Sequence, residues 1–339
     1  MDTVCLESEW KECLKKLLWP DSCIVVYRNF IAQSTRNVYN RYLTMFQKFC
    51  IERYNGFPPQ EKLLSAAIAE FLTVKSKESD RPESMLRGIM AALSNYFDMP
   101  GKPNPISTET RNLVKALIKT GTMRQAGRSR IMPMAPFTSL FESWGPNESL
   151  SISQLRQKSL TLLAIACIAR PSDFAPCTGF YRDQIEFNKD GSATLHFFGV
   201  KNDADRAGFE VRIEPTSNAY TDPVECLKVY FAKTHMLTPV PEREPVFLSL
   251  NPPFKGISSQ TVSQILNASI KDAGLPQNVY SAKCFRPSAA TAAIVSGCDP
   301  NTTRVRGRWK NDKVFFSNYV YPVSDTNVSE SILYSNVSL

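Results

Sequence analysis

The sequence predicts a mainly α chain with a small antiparallel β-sheet, divided into a helical domain followed by an α+β domain. Three observations predict this. Apolar residues recur at helical spacing through residues 34–120. Three short runs patterned as strands fall between residues 184 and 213, separated by turn-forming residues. Between these regions, residues 121–136 hold Gly121, Gly127, Pro133 and Pro136 with three arginines among them. The expected layout is a helical domain over 1–120, a basic linker over 121–136 and a second domain over 137–339.

Taken in order, Ser34 is a candidate N-cap. It opens a helix on which Val38, Tyr42, Met45, Phe46 and Phe49 recur at spacings of three and four. Arg36, Arg41 and Lys48 fall on its other faces, and Phe57-Pro58-Pro59 breaks the pattern. Helices are expected over 63–74, 84–97 and 108–120, completing a small bundle with a basic face. In the second domain, residues 153–169 read as a helix that becomes apolar towards its end, where Pro171 helps stop it. Strands are expected over 184–187, 193–198 and 209–213. Asp222-Pro223 starts a helix through Ala232, and another over 258–273 closes at Gly274. Further helices are expected over 286–296, 300–306 and 313–319.

Composition narrows the function classes. At 339 residues, two domains can each bury a core. The longest apolar run, Leu160 to Ala169, is too short to span a bilayer. No secretory leader pattern opens the sequence, so secretion is not expected, and the five Asn-x-Ser/Thr sequons read as chance matches. Nine scattered cysteines without a C-x-x-C pair fit free thiols in a reducing compartment and disfavour zinc. The charge is uneven. Residues 1–130 carry 20 Lys+Arg against 13 Asp+Glu, a net of +7, and residues 131–339 carry 20 against 19, a net of +1. A basic front module on a nearly neutral body suits a polyanion-gripping arm. His196 and His235 are the only histidines. One lies in an expected strand and the other beyond a helix, which argues against a histidine-metal nuclease or a Ser-His-Asp hydrolase. Walker and Rossmann glycine patterns are absent, so no nucleotide cofactor is implied.

A phosphodiester broken without a metal needs a nucleophile, donors for the non-bridging oxygens and an acid for the leaving oxygen. Arginine suits the donor role because its planar fork stays charged and can hold two oxygens. Arg170, at a helix end, and Arg286, at a helix start, are the candidates. Lys201 stands in the turn Gly199-Val200-Lys201-Asn202-Asp203, and Lys283 precedes Arg286 by three residues. Trp309 follows in Gly307-Arg308-Trp309, where an indole N–H can donate to a phosphate oxygen. Tyr319 lies ten residues on. Tyr321 is the competing tyrosine, but Pro322 disfavours helical dihedrals there.

In this order and in these contexts the residues resemble the tyrosine recombinase (phage integrase) family, over most of the chain. The resemblance implies a SAM-like core-binding domain ahead of an α+β catalytic domain. It implies cleavage and rejoining of double-stranded DNA through a 3′-phosphotyrosyl bond, with neither metal nor other cofactor. It makes Tyr319 the nucleophile and Lys201 the general acid, and it gives Asp173 the role of orienting Arg170. Lys283 stands where the family more often has histidine, and Trp309 holds a place often taken by histidine. Expected DNA contacts are Arg36, Arg41 and Lys48, then Arg124, Arg128 and Arg130 in the linker, and Arg304, Arg306, Arg308 and Lys310 around Trp309. Partners would be paired DNA sites bound by a tetramer, in the nucleus of a eukaryote or otherwise in the cytoplasm. Lys283, Trp309 and the nine cysteines look more like eukaryotic mobile-element recombinases, Crypton- or DIRS-like, than bacterial housekeeping ones. The alternatives are a type IB topoisomerase and a domesticated, non-catalytic DNA-binding protein. The latter would be marked by loss of catalytic residues, whereas all six positions are filled here.

Overall fold

The computed structural model describes residues 6–27, 31–79, 82–99, 104–120, 130–176, 178–201, 207–235, 237 and 243–318. The chain divides into two compact units, residues 1–127 and 128–339. No helix among the described residues is long and apolar enough to cross a membrane.

The first unit comprises α1 (Leu6–Lys16), α2 (Asp21–Tyr27), α3 (Gln33–Tyr54), α4 (Glu61–Lys77), α5 (Pro82–Phe97) and α6 (Thr108–Thr120). Its core joins Tyr42, Leu43, Phe46 and Cys50 of α3 to Leu64, Ile68 and Phe71 of α4 and to Leu86, Ile89 and Leu93 of α5. The expected stripe on α3 holds from Tyr42 onward, but Val38 is exposed. Ser34 is not the cap: the helix start lies two residues earlier, with Ala32 at the N-cap position and no side-chain cap bond. Arg36 also departs from the expectation. It is only 5% exposed and donates to Gln33 Oε1, so it faces the interior and not a DNA backbone. Arg41 and Lys48 are exposed, as suits a polyanion-facing surface. Helices α1 and α2 add to the four expected, and Trp10, Cys13 and Leu14 of α1 sit at helical spacing and are buried.

The second unit begins earlier than residue 137. Met132 is buried and its N–H donates to Ser288 Oγ at 2.8 Å, and α7 (Ala135–Trp144) follows directly. The end of the stretch read as linker is therefore packed into this unit. Next comes α8 (Ile152–Ala166), closed at its start by a capping box between Ser151 and Gln154. Leu155, Leu160 and Leu163 of α8 pack in one core with Val224, Leu227 and Tyr230 of α9 (Pro223–Thr234) and Val262, Leu266 and Ile270 of α10 (Ser259–Asp272). Asp222 caps α9, its Oδ1 accepting the N–H groups of Val224 and Glu225. The remaining helices are α11 (Phe285–Val295), α12 (Pro300–Arg306) and α13 (Asp312–Asn318).

Strands β1 (Ile185–Phe187), β2 (Ala193–Phe197) and β3 (Phe209–Ile213) form an antiparallel sheet in that order. Leu195 pairs with Ile185 on one side and Val211 on the other. Phe197 pairs with Phe209 at the far end, where their rings stack 5.1 Å apart at 10°. Lys201 lies just beyond β2, on the connection that leads to β3. Gly199 has φ +64, and a Cβ there would fall 2.5 Å from Thr178 Cγ2, so only glycine fits this approach to the lysine.

Candidate active site

Helix α8 ends at Ala166 and the chain leaves through Ile168, which has φ 48, into extended backbone at Arg170. Pro171–Phe174 then forms a 3₁₀ turn. Asp173 is completely buried in that turn, and its Oδ2 accepts the backbone N–H of Arg170 at 2.8 Å. The carboxylate thus fixes where the Arg170 side chain departs. Its side-chain partner is a different arginine.

That arginine is Arg308, whose Nη2 donates to Asp173 Oδ2. The Arg308 side chain is only 11% exposed. Its guanidinium carbon lies 3.9 Å from the centroid of the Phe209 ring and 5.4 Å from that of Phe197. Burial pulls the Arg308 pKa below its ordinary value, with the Asp173 charge opposing that shift. Removing one partner of such a buried pair typically costs about 3–5 kcal/mol, because the other charge is left uncompensated.

Arg286 sits in the first turn of α11, after a 3₁₀ turn at Ala282–Cys284 that carries Lys283. It is 4% exposed, donates through Nη2 to the Gly307 carbonyl and lies on Trp309, 4.1 Å from guanidinium carbon to ring centroid. A desolvated cation–π contact of this kind is worth about 2 kcal/mol. Trp309 is itself buried and packs on the fully buried Phe315, 4.8 Å between centroids. Gly307 makes this stack possible, because a Cβ there would collide with the six-membered ring of Trp309. Phe315 sets the inward face of α13. Tyr319 and Tyr321 lie outside the described residues, as do Arg124 and Arg128.

Arg170, Lys283 and Arg286 converge. With Pro171, Ser172, Pro287 and three residues of α10 they line one open cavity of about 500 Å³. Arg170 Nη1 is buried with no hydrogen-bond partner among the described residues. The α10 residues, Ser259, Gln260 and Ser263, are not among the sequence candidates. They stand at the start of a helix whose N-cap is Ser258, so its positive end lies at the cavity. A serine-rich helix start is visible in the sequence, but nothing local says what it faces. Lys201 is exposed and is not among the residues lining this cavity.

The arginines around Trp309 do not form the DNA-facing cluster expected from their charge. Arg304 Nη1 donates to the Trp309 carbonyl and pairs with Asp312, both at 3.1 Å. Arg306 donates to the carbonyls of Ala166 and Arg212, each at 2.8 Å, tying α12 to the ends of α8 and β3. Arg308 points inward to Asp173. Lys310 is exposed, as is Arg130. Three of the four expected contacts in this segment thus hold the site together from within.

No protein-family model matches the chain, and no curated protein matches it. Solved structures do. XerH site-specific recombinase bound to difH substrate, in a pre-cleavage complex, superposes with TM-score 0.62 at 15% identity, covering 97% of this chain and 89% of that one. The Tn1549 transposon integrase in complex with a circular intermediate DNA gives TM-score 0.60 at 11% identity, covering 97% and 99%. A lambda integrase dimer bound to a COC′ core site gives 0.53 at 16%, covering 92% and 94%. A cavity lined by two arginines and a lysine thus sits in a framework shared with these proteins, and the chain has the tyrosine recombinase fold.

Proposed function

We propose that the chain is a DNA recombinase that cleaves and rejoins duplex DNA through a 3′-phosphotyrosyl bond. The observation that carries this reading is the convergence of Arg170, Lys283 and Arg286, from segments more than a hundred residues apart, on one cavity. One nitrogen of Arg170 has no partner among the described residues. A phosphate supplies the missing acceptors. Arg170 and Arg286 hold its non-bridging oxygens and stabilise the charge that builds there. The Tyr319 oxygen bonds to phosphorus, its proton passing to solvent, while the bond from phosphorus to the 5′-oxygen breaks. Lys201 gives that oxygen a proton, leaving a free 5′-hydroxyl. Attack by another strand's 5′-hydroxyl reverses the step, so the bond energy is conserved and no ATP is consumed. Lys283 is a further phosphate donor at the cavity rim, and Trp309 supports Arg286 from beneath. Strand exchange between two sites takes several protomers, and the structural neighbours seen on DNA support the choice of duplex DNA as partner. Residues 1–120 serve as the basic core-binding domain, and residues from the linker onward carry the chemistry.

The test is covalent capture. Incubated with a random-sequence library of nicked duplexes, which release a short end after cleavage, the protein should form an adduct that survives detergent. Sequencing the trapped DNA then gives the target. Arg170→Ala and Arg286→Ala should each lower adduct formation by about 10²–10³-fold, the usual cost of losing one donor to a developing oxyanion. Absence of any adduct with the unaltered protein would reject catalysis and leave a DNA-binding protein.

Binding should weaken steeply with salt, in proportion to the phosphates neutralised. Replacing the exposed Arg41 and Lys48 with glutamine should reduce the slope of log affinity against log salt by about 2. Arg36→Gln should leave the slope unchanged, because its side chain is buried. An unaltered slope in the double variant would remove α3 from the interface.

A further inference from the structure

We propose that Arg308 is a positioning residue that holds the phosphate-binding turn, the Trp309 loop and the strand ends flanking Lys201 in register, so that the general acid meets the leaving oxygen. This rests on the DNA-cleaving reading above and assigns that site a part it otherwise lacks. Three observations meet at one side chain. Its charge is met by Asp173, whose same oxygen also holds the backbone N–H of Arg170. Its guanidinium lies over Phe209 and near Phe197, which begin β3 and end β2. Its backbone precedes Trp309, on which Arg286 rests.

The backbone of Arg308 sharpens the case. At φ 61 it occupies the left-handed region, where glycine or asparagine is the economical choice and an arginine is strained. A residue chosen only to turn the chain would not carry a long cationic side chain into the interior. The reach of that side chain is what the position gains. Its geometry also differs from that of Arg304 and Arg306, which bond backbone carbonyls and leave the buried carboxylate alone.

The link to Lys201 follows from the sheet. Phe197 is four residues before Lys201, and Phe209 starts the strand to which the same connection returns. Both rings lie against one guanidinium, and they stack on each other at 10°. Losing that guanidinium therefore removes a contact that both ends of the connection share. Arg170 keeps a contact of its own to Asp173, through its backbone N–H, in which the Arg308 side chain takes no part. The defect should thus fall on proton delivery more than on phosphate binding.

Two substrates separate these steps. With the ordinary bridging oxygen, the leaving group needs a proton. With sulfur at the same position, a thiolate departs without one. Arg308→Met, which keeps an unbranched apolar stem but removes the cation, should bind DNA within about twofold of the unaltered protein. It should cleave the oxygen substrate about 100-fold more slowly, within the range a general acid contributes. Cleavage of the sulfur substrate should fall less than about 10-fold, on the same scale of proton-transfer effects. Phe209→Leu removes the platform but keeps the Asp173 pair, so it still reads the effect if Arg308→Met fails to fold. It should shift the oxygen-to-sulfur rate ratio in the same direction. Equal losses on both substrates in either variant, or an unchanged ratio in both, would overturn the proposal. An unaltered protein that cleaves neither substrate would overturn the functional reading as well, whereas one that cleaves both confines the outcome to Arg308.

Discussion

Tyr319→Phe should abolish the covalent protein–DNA adduct while DNA binding survives, and Tyr321→Phe should leave the adduct in place. The loss should approach 10⁶-fold, roughly the scale seen when a covalent nucleophile is removed. Phe315 is fully buried against Trp309 and so fixes the inward face of α13. Tyr319 follows Phe315 by four residues, one helical turn, and α13 runs to Asn318. Tyr321 precedes Pro322, which disfavours a helical conformation at that tyrosine. A phenol with an ordinary pKa of about 10 needs a fixed cationic setting to attack phosphorus, and Arg286 stacked on Trp309 provides one next to the start of α13. An adduct peptide mapped to Tyr321 would move the nucleophile two residues and leave the phosphate site untouched.

Lys201→Ala should bind DNA normally and cleave it about 10²–10⁴-fold more slowly, because the 5′-oxygen would depart unprotonated. Sulfur at the bridging position should restore cleavage in this variant and should not restore Arg170→Ala, whose defect lies at the non-bridging oxygens. The lysine is exposed on the connection after β2, next to a glycine turn packed on Thr178. It is therefore held by a defined turn while its ammonium group stays accessible to a substrate. Equal rescue of both variants, or rescue of neither, would take the acid role away from Lys201.

Much of the fold is legible in the sequence because its signals are local. Helix α6 and strand β3 have the bounds expected from the sequence, since each carries its own period and its own terminating residues. Asp222 before Pro223 likewise marks the start of α9. Arg170 and Arg286 are expected at a helix end and a helix start, and the two do line one cavity. What sequence spacing does not contain is the direction of a charge. Arginine is usually exposed, so Arg36, Arg304, Arg306 and Arg308 read as DNA-facing. Each instead bonds within the protein. Arg308 finds its carboxylate 135 residues away and its aromatic platform on two separate strands. Arg306 finds carbonyls left over at the end of α8 and on β3. Helices α1, α2 and α7 escape the sequence reading because short segments carry too few periods to stand out from loops.

The shared oxygen of Asp173 ties the Arg170 turn to a residue far along the chain. The arginine that neutralises this buried carboxylate lies 135 positions after it in the chain. Contacts so distant in sequence form late, after the intervening chain has closed on itself. A fragment ending before Arg308 would hold Arg170, Arg286, Lys201 and Lys283, but it would leave the buried Asp173 without its cation and would lack Tyr319. On the proposed reading, such a fragment should therefore form no adduct with DNA.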